Sequence, residues 1–111
     1  MPPLRDAAIL SQLRLAFKER TSDGVRWKPL PVEWVRKNLG CTQRAIDDLL
    51  YEHIDSGGEI DQVVEDRDGY RHHGYHYDFR ICVSERRVYV ETILYQGRMG
   101  PIVTIVNVHD V

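Results

Sequence analysis

Apolar residues recur at helical spacing through the first half of the chain and at strand spacing through the second. Ile9, Leu10, Leu13, Ala16 and Phe17 share one side of a helix, with Arg14, Lys18 and Glu19 on the other, which predicts a helix from about Leu4 to Glu19. Thr21-Ser22-Asp23-Gly24 supplies turn chemistry to end it. After a short extended stretch around Trp27, Leu30-Pro31 opens a second helix with the stripe Val32, Val35, Leu39, and Gly40 is suited to cap its end. Thr42 then reads as the N-cap of a third helix, whose buried side is Ile46, Leu49, Leu50, His53 and Ile54, and Gly57-Gly58 stops it.

Strand patterns follow at Glu59 to Glu65, Tyr75 to Val83, Arg87 to Tyr95 and Ile102 to His109, rich in β-branched and aromatic residues. The connections at 84–86 and 96–100 are too short for parallel crossovers and predict antiparallel hairpins. The expected architecture is one α+β domain spanning 1–111. About three N-terminal helices would pack on one face of a C-terminal antiparallel sheet of three to four strands.

Alternation divides each strand between two faces. Tyr77, Phe79, Ile81 and Val83 take one face of their strand, while His76, Asp78, Arg80 and Cys82 take the other. A two-residue turn at Ser84-Glu85 would pair Arg80 with Tyr89 and Asp78 with Glu91, matching polar with polar. A five-residue loop at 96–100 would pair Tyr95 with Pro101, Tyr89 with Asn107 and Arg87 with His109. One face would then gather His76, Asp78, Arg80, Arg87, Tyr89, Glu91, Asn107 and His109.

Those residue types suit cleavage of RNA through its own 2′-hydroxyl. Glu91 would accept the 2′-OH proton, and His109, with His76 as the other candidate, would protonate the leaving oxygen. Arg80 and Arg87 would hold the phosphate, Arg80 stabilising the charge of the transition state. Tyr89 would stack on a base, with Asn107 beside it. The expected catalytic set is Glu91, His109 and Arg80; Arg87, Tyr89, His76 and Asn107 are the substrate-binding set. No metal and no cofactor is required. An exposed sheet face carries similar residues simply to meet water, so the cluster points to chemistry without proving it.

Composition narrows the alternatives. The chain has 111 residues, 42% hydrophobic and 29% charged, as an ordinary globular domain does. A formal net charge of −2 argues against nonspecific coating of nucleic acid, which needs a basic excess. The apolar runs are too short to span a bilayer, and the opening residues do not form a signal peptide, so a cytoplasmic protein without a membrane partner is expected. Cys41 and Cys82 match no redox or zinc spacing and are expected to be reduced thiols. His72-His73-Gly74-Tyr75-His76 lacks a second ligand cluster at a recognised spacing.

The phrases His76-Tyr77-Asp78-Phe79-Arg80-Ile81, Arg87-Val88-Tyr89-Val90-Glu91 and Ile105-Val106-Asn107-Val108-His109 resemble strands of small ribonucleases such as barnase, the RelE-type and MqsR-type toxins and the colicin nucleases. The resemblance covers roughly the last 40 residues. It implies N-terminal helices, an antiparallel sheet carrying Glu, Arg and His as the site, RNA as substrate and an antitoxin as protein partner. Here Arg80 precedes Glu91, and the charge is less basic than in many such toxins. Two other classes fit parts of the chain. A winged-helix DNA-binding regulator would use Gln43-Arg44-Ala45-Ile46 on its recognition helix and Arg67, Arg71 and the histidines on its wing, against the acidic Asp47, Asp48, Glu52 and Asp55. A non-catalytic interaction domain would use the aromatic strands in a homodimer.

Overall fold

Asp6 sets where the first helix begins. Its Oδ1 accepts the backbone N–H groups of Ala8 at 2.8 Å and Ile9 at 3.2 Å, so α1 runs Ala7–Glu19 in the computed structural model, which describes residues 2–19 and 24–111. The expected helix start at Leu4 is therefore three residues early. The expected turn at 21–23 lies outside the described residues. The segment before α1 is extended instead: Leu4 N–H donates to the Ile60 carbonyl at 2.7 Å, and Gln62 N–H donates to the Pro2 carbonyl at 2.9 Å. It lies antiparallel along one sheet edge, with Pro3 bridged to Asp61 and Leu4 turned into the core. Backbone groups that an edge strand would leave open are thereby paired.

Two more helices follow, α2 (Pro29–Asn38) and α3 (Gln43–Asp55). Gly40, at φ 62°, ends α2 by donating its N–H to the Val35 carbonyl at 3.2 Å. Thr42 caps α3 as expected, its hydroxyl accepting the Ala45 N–H at 3.1 Å.

The sheet has five strands: β1 (Val25–Trp27), β2 (Ile60–Val64), β3 (Tyr75–Val83), β4 (Arg86–Gly97) and β5 (Gly100–Asp110). Their spatial order is β1-β5-β4-β3-β2. The four C-terminal strands are antiparallel neighbours, but β1 pairs parallel with β5, Arg26 opposite Thr104. The expected sheet of three to four antiparallel strands is corrected to a mixed sheet of five. Three residues are too few to show alternation, and the parallel partner lies far along the chain.

One sheet face builds the core with the helices. Leu13, Phe17, Val35, Ile46 and Leu50 cluster with Phe79, Ile81, Val88, Val90, Val103, Ile105 and Val108. Burial of such side chains is the main favourable contribution to folding. No helix among the described residues is long and apolar enough to cross a membrane.

The β3–β4 hairpin has the expected register, Arg80 opposite Tyr89 and Asp78 opposite Glu91. Its two-residue turn holds Ser84 at φ 48° and Glu85 at φ 71°, the doubly left-handed geometry that matches strand twist. The β4–β5 register differs. Tyr95 pairs with Ile102, Gly97 pairs with Gly100, and only Arg98 and Met99 are left to turn the chain. A shift follows between Glu91 and Thr92: Thr92 faces Ile105, and Glu91 faces Asn107, which leaves Val106 as the extra residue of a β-bulge. The bulge lets Ile105 and Val108, of opposite parity, both enter the core.

Asp47 on α3 is buried beside the sheet, where the Trp27 indole N–H donates to its Oδ1 at 3.0 Å. Burial pushes its pKa up to about 6, despite the indole's opposing effect. The unfolded chain ionises Asp47 near pH 4, whereas the native state keeps the proton until about pH 6. Raising pH through that window therefore lowers stability, by on the order of 2 kcal/mol from this residue. In urea titrations across pH 3 to 7, Asp47→Asn is expected to lack that decline. Parallel curves for the two proteins would show that Asp47 ionises normally.

Candidate functional site

The face of the sheet turned away from the helices carries a row of acidic groups. Asp61, Asp78, Glu91 and Asn107 face one another in sequence across β2, β3, β4 and β5. The three carboxylates are only 2%, 1% and 8% exposed, and Glu65, just beyond β2, is a fourth at 4%. Ionised groups so deeply placed need partners.

Each has one or more. The Arg80 guanidinium donates to Asp61. Arg67 clasps Glu65, with Nε on Oε1 and Nη2 on Oε2, both at 2.8 Å, and the same Nη2 reaches Glu91 Oε2 at 2.5 Å. The Arg67 backbone N–H also donates to Glu65 at 3.0 Å. These contacts hold the Glu65 carboxyl down at about 2 and raise the Arg67 guanidinium further. Asp78 takes the Nδ1 of His76 on one oxygen at 2.7 Å and the Tyr89 hydroxyl on the other. Burial, then the bond to Asp78, pushes the Tyr89 hydroxyl well above the usual tyrosine range.

Arg67 gets there because residues 66–74 fold back over the sheet. Glu65 N–H donates to the Gly74 carbonyl at 3.0 Å, closing the loop at its base, and a 3-10 turn at Arg71–His73 sets its tip beside β4. The arginine that the winged-helix alternative would put on an exposed wing is thus committed inward. In α3 the exposed residues are Gln43 and Arg44 in the first turn and the acidic Glu52 and Asp55 toward the end.

Four buried carboxylates, Asp61, Glu65, Asp78 and Glu91, face two guanidiniums, Arg67 and Arg80. The centre of the face therefore carries a formal excess of negative charge, and it repels a phosphate. His76, Asp78 and Glu91 also bring three ligand-type atoms within 4.8 Å of one another. Glu91 supplies, from the next strand, the third donor that the histidine run lacks in sequence.

The expected site residues divide into two groups. His76, Glu91, Tyr89 and Arg80 are tied into the polar network described above. His109, Asn107 and Arg87 are exposed. The His109 ring stacks on Tyr89, centroids 4.8 Å apart and planes 19° from parallel, and its Nδ1 lies 2.8 Å from the Asp110 carbonyl. A carbonyl only accepts, so Nδ1 carries the hydrogen and Nε2 is the nitrogen left to exchange a proton. Arg80 and Arg87 line a recess of about 240 Å³ with His53, Glu59 and Asp61.

The bulge changes which of these groups are neighbours. The expected register put His109 opposite Arg87, two rows from Glu91. In the structure His109 faces Tyr89, one row from Glu91. Asp61, Glu65 and Arg67 were not among the expected site residues. Asp61 and Glu65 have the parity of the outer face, a signal that became useful only once β2 was registered on β3. The sequence pattern marks Arg67 only as a wing residue of the winged-helix alternative, not as a partner of the sheet face. No protein-family model, curated protein or solved structure matches the chain.

Proposed function

We propose that the outer sheet face cleaves single-stranded RNA without a metal, as a small toxin-like endoribonuclease that an antitoxin protein would restrain. The observation that carries this is the placement of the Glu91 carboxylate and the His109 imidazole one row apart on one face, with Arg80 and Arg87 beside them. Diagonal neighbours of this kind are about 7–8 Å apart at the backbone, a separation that side chains flanking one phosphodiester can bridge.

The negative centre keeps the phosphate off Asp78 and Glu91, so it binds at the Arg80–Arg87 recess, where Arg87 engages its oxygens and Arg80 does so beside its pairing with Asp61. Glu91 accepts the proton of the 2′-hydroxyl as that oxygen attacks phosphorus. The bond from phosphorus to the 5′-oxygen breaks, and His109 Nε2 delivers a proton to the leaving oxygen. The products are a 2′,3′-cyclic phosphate and a 5′-hydroxyl. Tyr89, fixed at its hydroxyl by Asp78, holds the imidazole ring by stacking.

The test is cleavage of a mixed single-stranded RNA in EDTA by the wild type, Glu91→Gln and His109→Ala. Cutting that leaves cyclic phosphate ends, and that falls by at least about 100-fold in each variant, is the expected result. An inert wild type, or equal cutting by all three, would remove the assignment. Cutting only when Mn²⁺ is added would transfer the chemistry to His76, Asp78 and Glu91 as ligands and overturn the metal-independent mechanism.

A further inference from the structure

A second concavity lies on the same face, toward the β1 end of the sheet, where the acidic row gives way to apolar residues. Its floor is Ile93 and Thr104, neighbours on β4 and β5 and both buried. Its walls are the rings of Tyr95 on β4 and of Tyr70 and His73 on the folded-back loop, with Lys28 at the β1 side. The volume is about 450 Å³, within the range of small-ligand sites. The rings are already arranged against one another: Tyr70 and His73 have centroids 6.3 Å apart, and His73 and Tyr95 6.0 Å.

These are the parts of a stacking site. Three aromatic rings beside a floor of Ile93 and Thr104 favour a flat aromatic guest, and the Thr104 hydroxyl and Lys28 add polar groups beside it. Burial lowers the His73 pKa, which favours a neutral ring that can both donate and accept hydrogen bonds. The Tyr95 hydroxyl accepts from Arg26 at 3.0 Å, which holds that ring in place and adds a second cation near the mouth. From Arg87 at the phosphate recess to Tyr95 along β4 is about 26 Å at the usual rise of a strand. A few nucleotides of an extended single strand can span that.

We propose that the Tyr70–His73–Tyr95 cleft is a base-binding subsite, taking a nucleobase of single-stranded RNA between its rings with a flanking phosphate at Lys28. It rests on the ribonuclease reading for the identity of its ligand, and it assigns that enzyme a choice of base at a position away from the cut.

Binding and cutting separate the two. The probes are a fluorescein-labelled 2′-O-methyl RNA hexamer of mixed sequence, which lacks the attacking hydroxyl, and the same hexamer as unmodified RNA. By anisotropy, wild type is expected to show binding of the methylated hexamer. Tyr95→Ala and Tyr70→Ala each weaken it about tenfold, and Tyr95→Phe, which keeps the ring, restores it. Tyr70 sits on the surface loop, so its variant reports even if Tyr95→Ala is poorly folded. Ring-dependent binding with no cleavage of the unmodified hexamer keeps the cleft and removes the ribonuclease. Cleavage by wild type, with undiminished binding and cutting by both alanine variants, keeps the ribonuclease and removes the cleft. A wild type that binds neither hexamer removes the cleft as well.

Discussion

Replacing Arg67 with alanine is expected to cost about 3 kcal/mol of stability. The Glu65 side chain is fully shielded from solvent, and that of Glu91 is 10% exposed. Both depend on one guanidinium. Removing one partner of a buried ion pair typically costs about 3–5 kcal/mol, because the other charge stays buried and unpaired. The lower end applies here, since Arg67 itself is 40% exposed and water can enter where it was. For a domain of this size that corresponds to a fall of roughly 10 °C in melting temperature.

The pH dependence has a definite sign. Glu65 is held down at about 2 in the native state, below its ordinary unfolded value near 4. Its contribution is therefore fully present above about pH 4 and is lost as pH falls toward 2. The alanine variant lacks that contribution, so the two proteins should differ most at pH 7 and converge in acid. Thermal melts at pH 7 and pH 3 measure this. An unchanged melting temperature at pH 7 would mean that the loop does not hold Arg67 against these carboxylates in solution.

The second large effect is in the core beneath the site. Phe79→Ala is expected to cost about 3–5 kcal/mol, the range for removing a buried phenylalanine. Phe79 is wholly buried, meets the edges of Phe17 at 6.0 Å and His53 at 5.7 Å, and lies between Ile60 and Val90 across the sheet. Its chain neighbours Asp78 and Arg80 point to the outer face, so loss of packing also loosens the polar network. Small domains have only about 5–15 kcal/mol of stability in total, and urea unfolding of Phe79→Ala should show a large share of it gone. Phe79→Leu should fall between the two. A cost below about 1 kcal/mol for the alanine variant would mean that the cavity collapses almost completely.

Strand β3, its turn and its register on β4 were legible because that hairpin has a clean period of two and a turn of fixed length. The three helices were legible from their apolar stripes, with errors confined to the ends, where Asp6 caps α1 later than the apolar pattern implied. The C-terminal strand was harder. From Ile102 to Val106 both faces carry apolar or β-branched residues, so parity could not locate the bulge, and His109 was assigned to the wrong row. Whether the outer face is open or covered was not legible in the sequence. Two facts that periodicity does not encode decide it: the acids align across strands, and the polar 66–74 segment folds inward and not out into water. Arg67 illustrates the second. Its partners are Glu65, two residues away, and Glu91, which only the tertiary fold brings to it.

The bulge at Val106 also bears on how this chain could change length during evolution. Because Val106 is the residue without an opposite, losing it would leave Ile105 and Val108 in the core and Asn107 still facing Glu91. Losing Asn107 instead would draw a valine into the acidic row. Of these two adjacent codons, one can be dropped without rearranging the face and the other cannot, so an alignment of descendants should place its gap at 106.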